Sequence, residues 1–380
     1  MKIGINARYL QKSQTGIESY LLNLILNLRK IDKENEYVLL FGNDKPIPKI
    51  IRDKKFNYHT SKMPTNGQIL RIIWEHLYLP HIIKKEKIDV FHEPSFVAPL
   101  IKRCPIVITI HDLGFIYFPQ CYTYRNLMYL RTLLPKSIKN ADMIIAVSEN
   151  TKKDIINYFN ISSDKIQVVY EGVDDFFKII NDKGRLEQVR KKYNISKDFI
   201  LNVSMITPRK NLITLIKAFK LLRDSKNIKC QLVIAGGKGW LYEDVFKTVS
   251  ALRLEDEVIF TGYVPDEDLL YLYNAATLFA YPSLYEGFGL PILEAMSCGC
   301  PVVSSNISSI PEITGDAALL INPSDVEDLF HAMYKLITED SIRQMLVKRG
   351  LERAKQFSWK RTAEETLAIY KRVAVQEGKK

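Results

Sequence analysis

Leu278-Phe-Ala-Tyr281-Pro-Ser-Leu-Tyr285-Glu286-Gly287-Phe288-Gly289-Leu290-Pro291-Ile-Leu-Glu294-Ala295-Met296 reads as a buried strand, a glycine-bearing loop and an apolar helix in direct succession. A second apolar run, 301–304, follows at once. Strand, helix and strand in this order make a βα unit, which packs only as part of a parallel sheet with helices on its faces. Gly287 and Gly289 let the backbone approach a ligand, and Pro291 is tolerated in a first helical turn. Glu294 lies among Leu290, Ile292, Leu293, Ala295 and Met296, where an unpaired carboxylate is costly, so a ligand hydroxyl or a buried cation is expected beside it.

The same alternation extends in both directions. Toward the N-terminus it gives strands 200–203, 231–235 and 258–261, with helices 212–222, 242–252 and 266–275 between them. A strand at 318–321 follows, and 361–373 reads as a basic amphipathic helix. Residues 170–182 break the pattern; before them, strands are expected at 2–6, 36–41, 90–92, 106–110, 143–147 and 165–169. Helical periodicity is clearest over 16–28 and 151–159, with Ser148 placed to cap the second. The expectation is α/β: two doubly wound, Rossmann-like domains, 1–178 and 179–360.

Composition narrows the function. A chain of 380 residues suits two cores of about 150–200 residues each. Its formal charge of +11 favours anionic partners such as nucleotide phosphates or an acidic membrane face. No helix-turn-helix or RNP signature accompanies that charge, so nucleic acid is not expected. Five cysteines without a CxxC pair argue against zinc and against a disulfide framework. The start, Met-Lys-Ile-Gly-Ile-Asn-Ala, reads as a strand and not as a secretory signal, and no run of apolar residues is long enough to span a bilayer. A cytoplasmic protein is expected.

Chemistry-bearing residues fall at the ends of strands. Gly16 opens a helix whose N-terminus would accept phosphate, or it is simply a helix start; the dinucleotide fingerprint GxGxxG is absent. His111 and Asp112 follow the strand at 106–110 and read either as functional or as a hydrogen-bonded histidine with a capping aspartate. Arg209 and Lys210, in a βα loop, suit a diphosphate as fork and point charge, against the alternative of a solvated basic turn. Asp266-Glu267-Asp268 spells a metal-binding DxD, but its place after Pro265 favours helix-dipole complementation. The Asn-Ile-Ser sequons at 160, 194 and 306 carry no weight in a cytoplasmic chain.

Thr15-Gly16-Ile17, Thr109-Ile-His111-Asp112, Pro208-Arg209-Lys210-Asn211, Ala235-Gly-Gly-Lys-Gly-Trp240, the E-x7-E pair Glu286/Glu294 and Ser309-Ile-Pro-Glu-Ile313 occur in this order. Together they resemble the family-4 glycosyltransferases, mannosyltransferase-like branch, over essentially the whole chain. The resemblance implies a GT-B fold, two Rossmann-like domains facing across a cleft, with 361–380 crossing back to the N-terminal domain. It also implies transfer of a hexose with retention, metal-independent and without a cofactor, from a nucleotide sugar. GDP-mannose is favoured as donor, with UDP-linked sugars open. His111 and Glu286 would act at the donor sugar and are the catalytic candidates. Gly16, Arg209 and Lys210 would hold the diphosphate, Phe288, Gly289 and Leu290 sugar and phosphate through backbone N–H groups, Glu294 the ribose, and the backbone near Val264 the base. The chain departs from the family at Ser204-Met205, where a glycine followed by Arg or Thr is usual, which shifts phosphate binding onto Arg209 and Lys210.

The implied acceptor is a carbohydrate or a polyprenyl-linked glycan. Segment 122–140 mixes Tyr, Met and Leu with Arg125, Arg131, Lys136 and Lys139, a pattern suited to peripheral contact with an anionic membrane or to an ordinary surface helix. Rival readings on the same architecture are a nucleotide-sugar epimerase and a non-catalytic nucleotide-sugar-binding protein. Retention by double displacement needs two carboxyls about 5 Å apart. The loop and helix positions of Glu286 and Glu294 do not suit that pairing, and the resemblance implies front-face attack instead.

Overall fold

The computed structural model describes the chain apart from residues 12–15, 44–45, 52–55, 62, 64, 66, 227 and 378–380. Thr15 of the first glycine motif therefore lies outside the described residues. Two parallel sheets account for the architecture. The first contains β1 (Lys2–Asn6), β2 (Glu36–Phe41), β3 (Phe56–Thr60), β4 (Val90–Glu93), β5 (Ile106–Ile110), β6 (Met143–Ala146) and β7 (Ile166–Val168), in the order β3-β2-β1-β4-β5-β6-β7. The second contains β8 (Phe199–Val203), β9 (Gln231–Ala235), β10 (Val258–Gly262), β11 (Leu278–Tyr281), β12 (Val302–Ser305) and β13 (Ala318–Ile321), in the order β10-β9-β8-β11-β12-β13. This is the two-domain α/β GT-B architecture. Strand β3 is the one that sequence periodicity did not anticipate; it is an edge strand, half-exposed beyond Phe56, and lacks the continuous apolar run of its neighbours.

The chain divides into two compact units. The first comprises Met1–Leu113, Thr123–Gly172 and Ser358–Lys380, and the second comprises Gly114–Tyr122 and Val173–Phe357. Main changes of unit fall at 172/173 and 357/358, against 178/179 and 360/361 read from the sequence. Strand β5 is buried throughout, because helices cover both faces of a parallel sheet. In the second unit Ile200, Leu232 and Ile234 of the sheet pack with Ile216 and Phe219 of helix Leu212–Lys226 and with Leu329 and Met333 of helix Val326–Thr338.

The last helix, Trp359–Glu377, belongs to the first unit, where it packs on helix Gly16–Ile31. Its docking has a polar pin. The Tyr370 hydroxyl lies 2.6 Å from His92 Nδ1, His92 Nε2 lies 2.8 Å from Thr109 Oγ1, and Tyr20 OH lies 3.1 Å from the same oxygen. All four residues are buried. Burial, reinforced by His111, pushes His92 down to about 3, so its imidazole is neutral and has one donor and one acceptor nitrogen to satisfy. Removing the hydroxyl leaves a buried ring nitrogen unpaired. Tyr370→Phe is expected to cost about 1–3 kcal/mol, seen as a lower denaturation midpoint for the first unit; an unchanged midpoint would remove this bond from the account of helix docking.

Candidate active site

The order of the second sheet reverses between β8 and β11, which pair directly through Leu278↔Ile200 and Phe279↔Leu201. Such a switch point leaves a crevice beyond the strand ends, because the flanking connections leave toward opposite faces. Arg209 and Lys210 follow β8 in a 3-10 turn, Pro208–Lys210, and Glu286 follows β11. Asn211, in the left-handed region at φ 56°, turns the chain into the next helix. Its amide donates to the carbonyls of Pro282 (3.1 Å) and Pro323 (2.7 Å), which fixes one loop against the other.

Three of the residues singled out in the sequence meet here. Lys210 Nζ donates to Glu286 Oε1 at 2.5 Å and to the Tyr281 hydroxyl at 2.6 Å. Arg209 Nη1 donates to the Tyr285 carbonyl at 2.8 Å and approaches Glu286 Oε2 at 3.4 Å. Burial alone would raise the Glu286 carboxyl, but Lys210 and Arg209 overcome it and hold the group down to about 2. A carboxylate so held is a poor base and a poor nucleophile at neutral pH. The triad carries net charge +1, which suits an anion arriving with polar hydroxyls attached.

The Glu286 loop is held by two serines. The Glu286 amide donates to Ser308 Oγ (3.0 Å), and Ser309 Oγ donates to the carbonyls of Glu286 (2.9 Å) and Phe288 (3.2 Å). Gly289 caps helix Leu290–Ser297 with φ 112°, a conformation strained for any other L-residue. Phe288, Gly289 and Leu290 thus sit at the positive end of a helix whose inner face, Ile292, Leu293, Ala295 and Met296, is buried.

Glu294 stands apart from the triad. Its Oε2 accepts a 2.9 Å bond from the Tyr273 hydroxyl, and burial, with Asp266 and Asp174 adding repulsion, raises it to about 7. Val264 is buried just past β10. In the DxD sequence, Asp268 accepts from Lys192 (2.5 Å) and Tyr193 (2.7 Å), so it braces helix Lys183–Lys192, while Asp266 opens helix Asp266–Ala275. Tyr117 and Phe118, also of the second unit, pack on Tyr285 with ring centroids 5.1 and 6.2 Å away.

In the first unit, Gly16 is the exposed first residue of its helix, and a Cβ built on it would meet nothing within 4 Å. Packing therefore does not require glycine there. His111 follows β5, with Nδ1 3.0 Å from Glu171 Oε1 and Nε2 2.9 Å from the Pro94 carbonyl. Sequence reasoning did not find Glu171, Tyr281 or Tyr273. Nor did it find a buried cluster past β1 and β4, where Asn6 donates to Glu93 (2.7 Å) and Arg8 pairs with Glu75 (2.8 Å). Tyr281 was within reach, being the last residue of the quoted strand; Glu171 and Glu75 lie far along the chain from their partners and carry no local signal.

Residues 186–353 match the family described as Glycosyl transferases group 1, and residues 14–175 match Glycosyltransferase Family 4. An O-antigen chain mannosyltransferase B from Escherichia coli is 34% identical, with 98% of this chain and 100% of the relative covered. Among solved structures, a sucrose-phosphate synthase from Thermosynechococcus elongatus superposes with TM-score 0.79 at 20% identity, over 99% of this chain and 100% of that one. HepE from Anabaena, in complex with UDP-glucose, superposes with TM-score 0.75 at 20% identity, over 97% and 99%.

The raised Glu294 carboxyl gives a stability signature. In the folded protein it keeps a proton that the unfolded chain releases near 4.5, so its cost is absent below that pH, grows up to about 7 and is complete above. Glu294→Gln should therefore stabilise the ligand-free protein by on the order of 2–3 kcal/mol at about pH 8 and hardly at all at about pH 4. Equal midpoints for wild type and variant at the higher pH would place Glu294 in a solvated setting.

Proposed function

Since the chain belongs to the group 1 glycosyl transferases, with a family-4 N-terminal half, and is an enzyme of that type, we propose that it moves mannose from GDP-mannose to a glycan acceptor with retention. The ion triad of Arg209, Lys210 and Glu286 at the β8/β11 switch point carries this reading. A mannosyltransferase named for the O-antigen chain and related over the full length supports the sugar and an O-antigen-like glycan acceptor.

In the proposed reaction the bond from the anomeric carbon to the diphosphate breaks as a bond to an acceptor hydroxyl oxygen forms on the same face. The hydroxyl proton passes to the departing phosphate oxygen. Negative charge grows on the leaving group, and Arg209 and Lys210 are the stabilisers assigned to it. Glu286, already ion-paired, is assigned to sugar hydroxyls and not to nucleophilic attack, which favours front-face transfer over double displacement. Glu294 is assigned to the ribose and the backbone at Val264 to the base. No metal is assigned a part: Asp268 is engaged by Lys192 and Tyr193.

A thermal-shift panel of GDP, UDP and ADP tests the donor, since a ligand at about 100 times its Kd adds about 2.7 kcal/mol. GDP is expected to give the largest shift, and a larger shift with UDP would replace the donor assignment. Lys210→Ala should weaken the preferred nucleotide sugar by about 1.5–3 kcal/mol. Transfer should survive EDTA, and NMR of the first product should report the donor's anomeric configuration.

The acceptor reading extends to the bilayer. Among the described residues no helix is long and apolar enough to cross a membrane. Helix Tyr124–Asn140 exposes Tyr124 and Met128 together with Arg125, Arg131, Lys136 and Lys139. Beside it Arg71 lies over the Tyr129 ring, and its helical segment exposes Ile69, Ile73 and Leu77 at four-residue spacing. Apolar side chains ringed by cations suit an anionic lipid surface, at about 1 kcal/mol per cation. Salt-sensitive co-sedimentation with phosphatidylglycerol vesicles is expected, lost when the four cations become Gln; absence of binding at low salt would sink this part.

A further inference from the structure

We propose that Glu171 is a positioning residue that holds His111 as a doubly donating imidazolium, making His111 a stationary positive charge at the reacting centre and not a proton carrier. The inference rests on the transfer reading for the place of His111 in the reaction, but its geometry stands alone. The Pro94 carbonyl can only accept a hydrogen bond, so Nε2, 2.9 Å away, carries a proton. On the opposite side Nδ1 meets the Glu171 carboxylate at 3.0 Å, again an acceptor. A ring between two acceptors is satisfied only when both nitrogens are protonated.

The groups facing His111 agree in sign. Glu171 and Asp112 favour the charged ring, and the raised pKa follows, with these partners and the Pro94 carbonyl outweighing desolvation. Neighbouring His92 is neutral. Tyr20 presents an edge contact with centroids 4.8 Å apart, and the His111 carbonyl accepts from Thr151 Oγ1 at 3.3 Å, so ring and backbone are both located.

Glu171 is itself placed by its successor. A Cβ on Gly172 would lie 2.1 Å from the Trp359 amide nitrogen, so the backbone there is pressed against the start of the last helix with no room for a side chain. Thr362 Oγ1 donates to the Tyr170 carbonyl at 2.7 Å and clamps the other flank. The carboxylate is thus delivered by a segment with little freedom to move, which is what positioning requires.

The test uses the full chain, with a readout that does not depend on turnover. NMR of the His111 imidazole should show both ring N–H groups at neutral pH, and a titration moved to lower pH in Glu171→Gln. In transfer assays, Glu171→Gln should lower kcat roughly 10- to 100-fold and move the alkaline limb of its pH profile to lower pH. Nucleoside diphosphate affinity should be unchanged, and Glu171→Asp should restore much of the rate. A neutral His111 at pH 7 in the wild type would overturn the proposal, as would a Glu171→Gln enzyme with wild-type kcat and pH profile. If Glu171→Gln fails to fold, the wild-type titration and the Asp variant decide. A wild type that transfers no sugar while His111 titrates as expected would count against the transfer reading and leave the pairing with Glu171 upheld.

Discussion

A carboxylate buried as deeply as Glu286 survives as an anion only beside cations, and the site follows from that requirement. Lys210 and Arg209 meet it from the loop after β8, which ties the ends of two adjacent parallel strands into one polar unit. Asn211, Ser308 and Ser309 then fix the loops that carry the three charges. The sheet interior is largely apolar on both faces, which favours the strand ends as the place for such a cluster. Where the strand order reverses, neighbouring connections diverge and leave room for a ligand.

The two units answer this constraint in different ways. In the second, charge balance leaves a net cation around Glu286, and a separate carboxyl, Glu294, is raised to about 7 by burial and acidic neighbours. In the first, His111 stands between a carboxylate and a carbonyl, and its charge bears on a neutral His92. Burial holds His92, whose ring meets only hydroxyls, neutral, while the Glu171 carboxylate shifts His111, just past the adjacent strand, in the other direction. Environment and not residue type assigns the role of each.

Legibility in the sequence followed the range of the forces involved. Strands with continuous apolar runs, such as 106–110 and 231–235, were readable because burial on both faces leaves no alternative composition. β3, Phe56-Asn-Tyr-His-Thr60, was not, since an edge strand with polar positions resembles a loop. Helix Lys183–Lys192 was missed for a similar reason: it is highly charged and buries only Val189. Arg209, Lys210 and Glu286 were found because each lies in a βα loop beside glycine or proline punctuation. Their mutual pairing was not foreseen, since the sequence reading assigned the cations to a ligand alone. The His111–Glu171 bond spans 60 residues and Tyr370–His92 spans 278, distances at which no local pattern carries information.

The membership of helix Trp359–Glu377 in the first unit has a consequence for biosynthesis. The first unit cannot be completed until the whole of Val173–Phe357 has been made. At about 5–20 residues per second that interval lasts roughly 10–40 s. Through it, the surface of helix Gly16–Ile31 that the last helix will cover, including Tyr20, stays unprotected on the nascent chain. The second unit is nearly contiguous and can condense as it emerges, so the part begun first is the part finished last. A ribosome stalled shortly before Trp359 would release a chain with a formed second sheet and an open first one, a natural substrate for chaperones or for aggregation through that uncovered face.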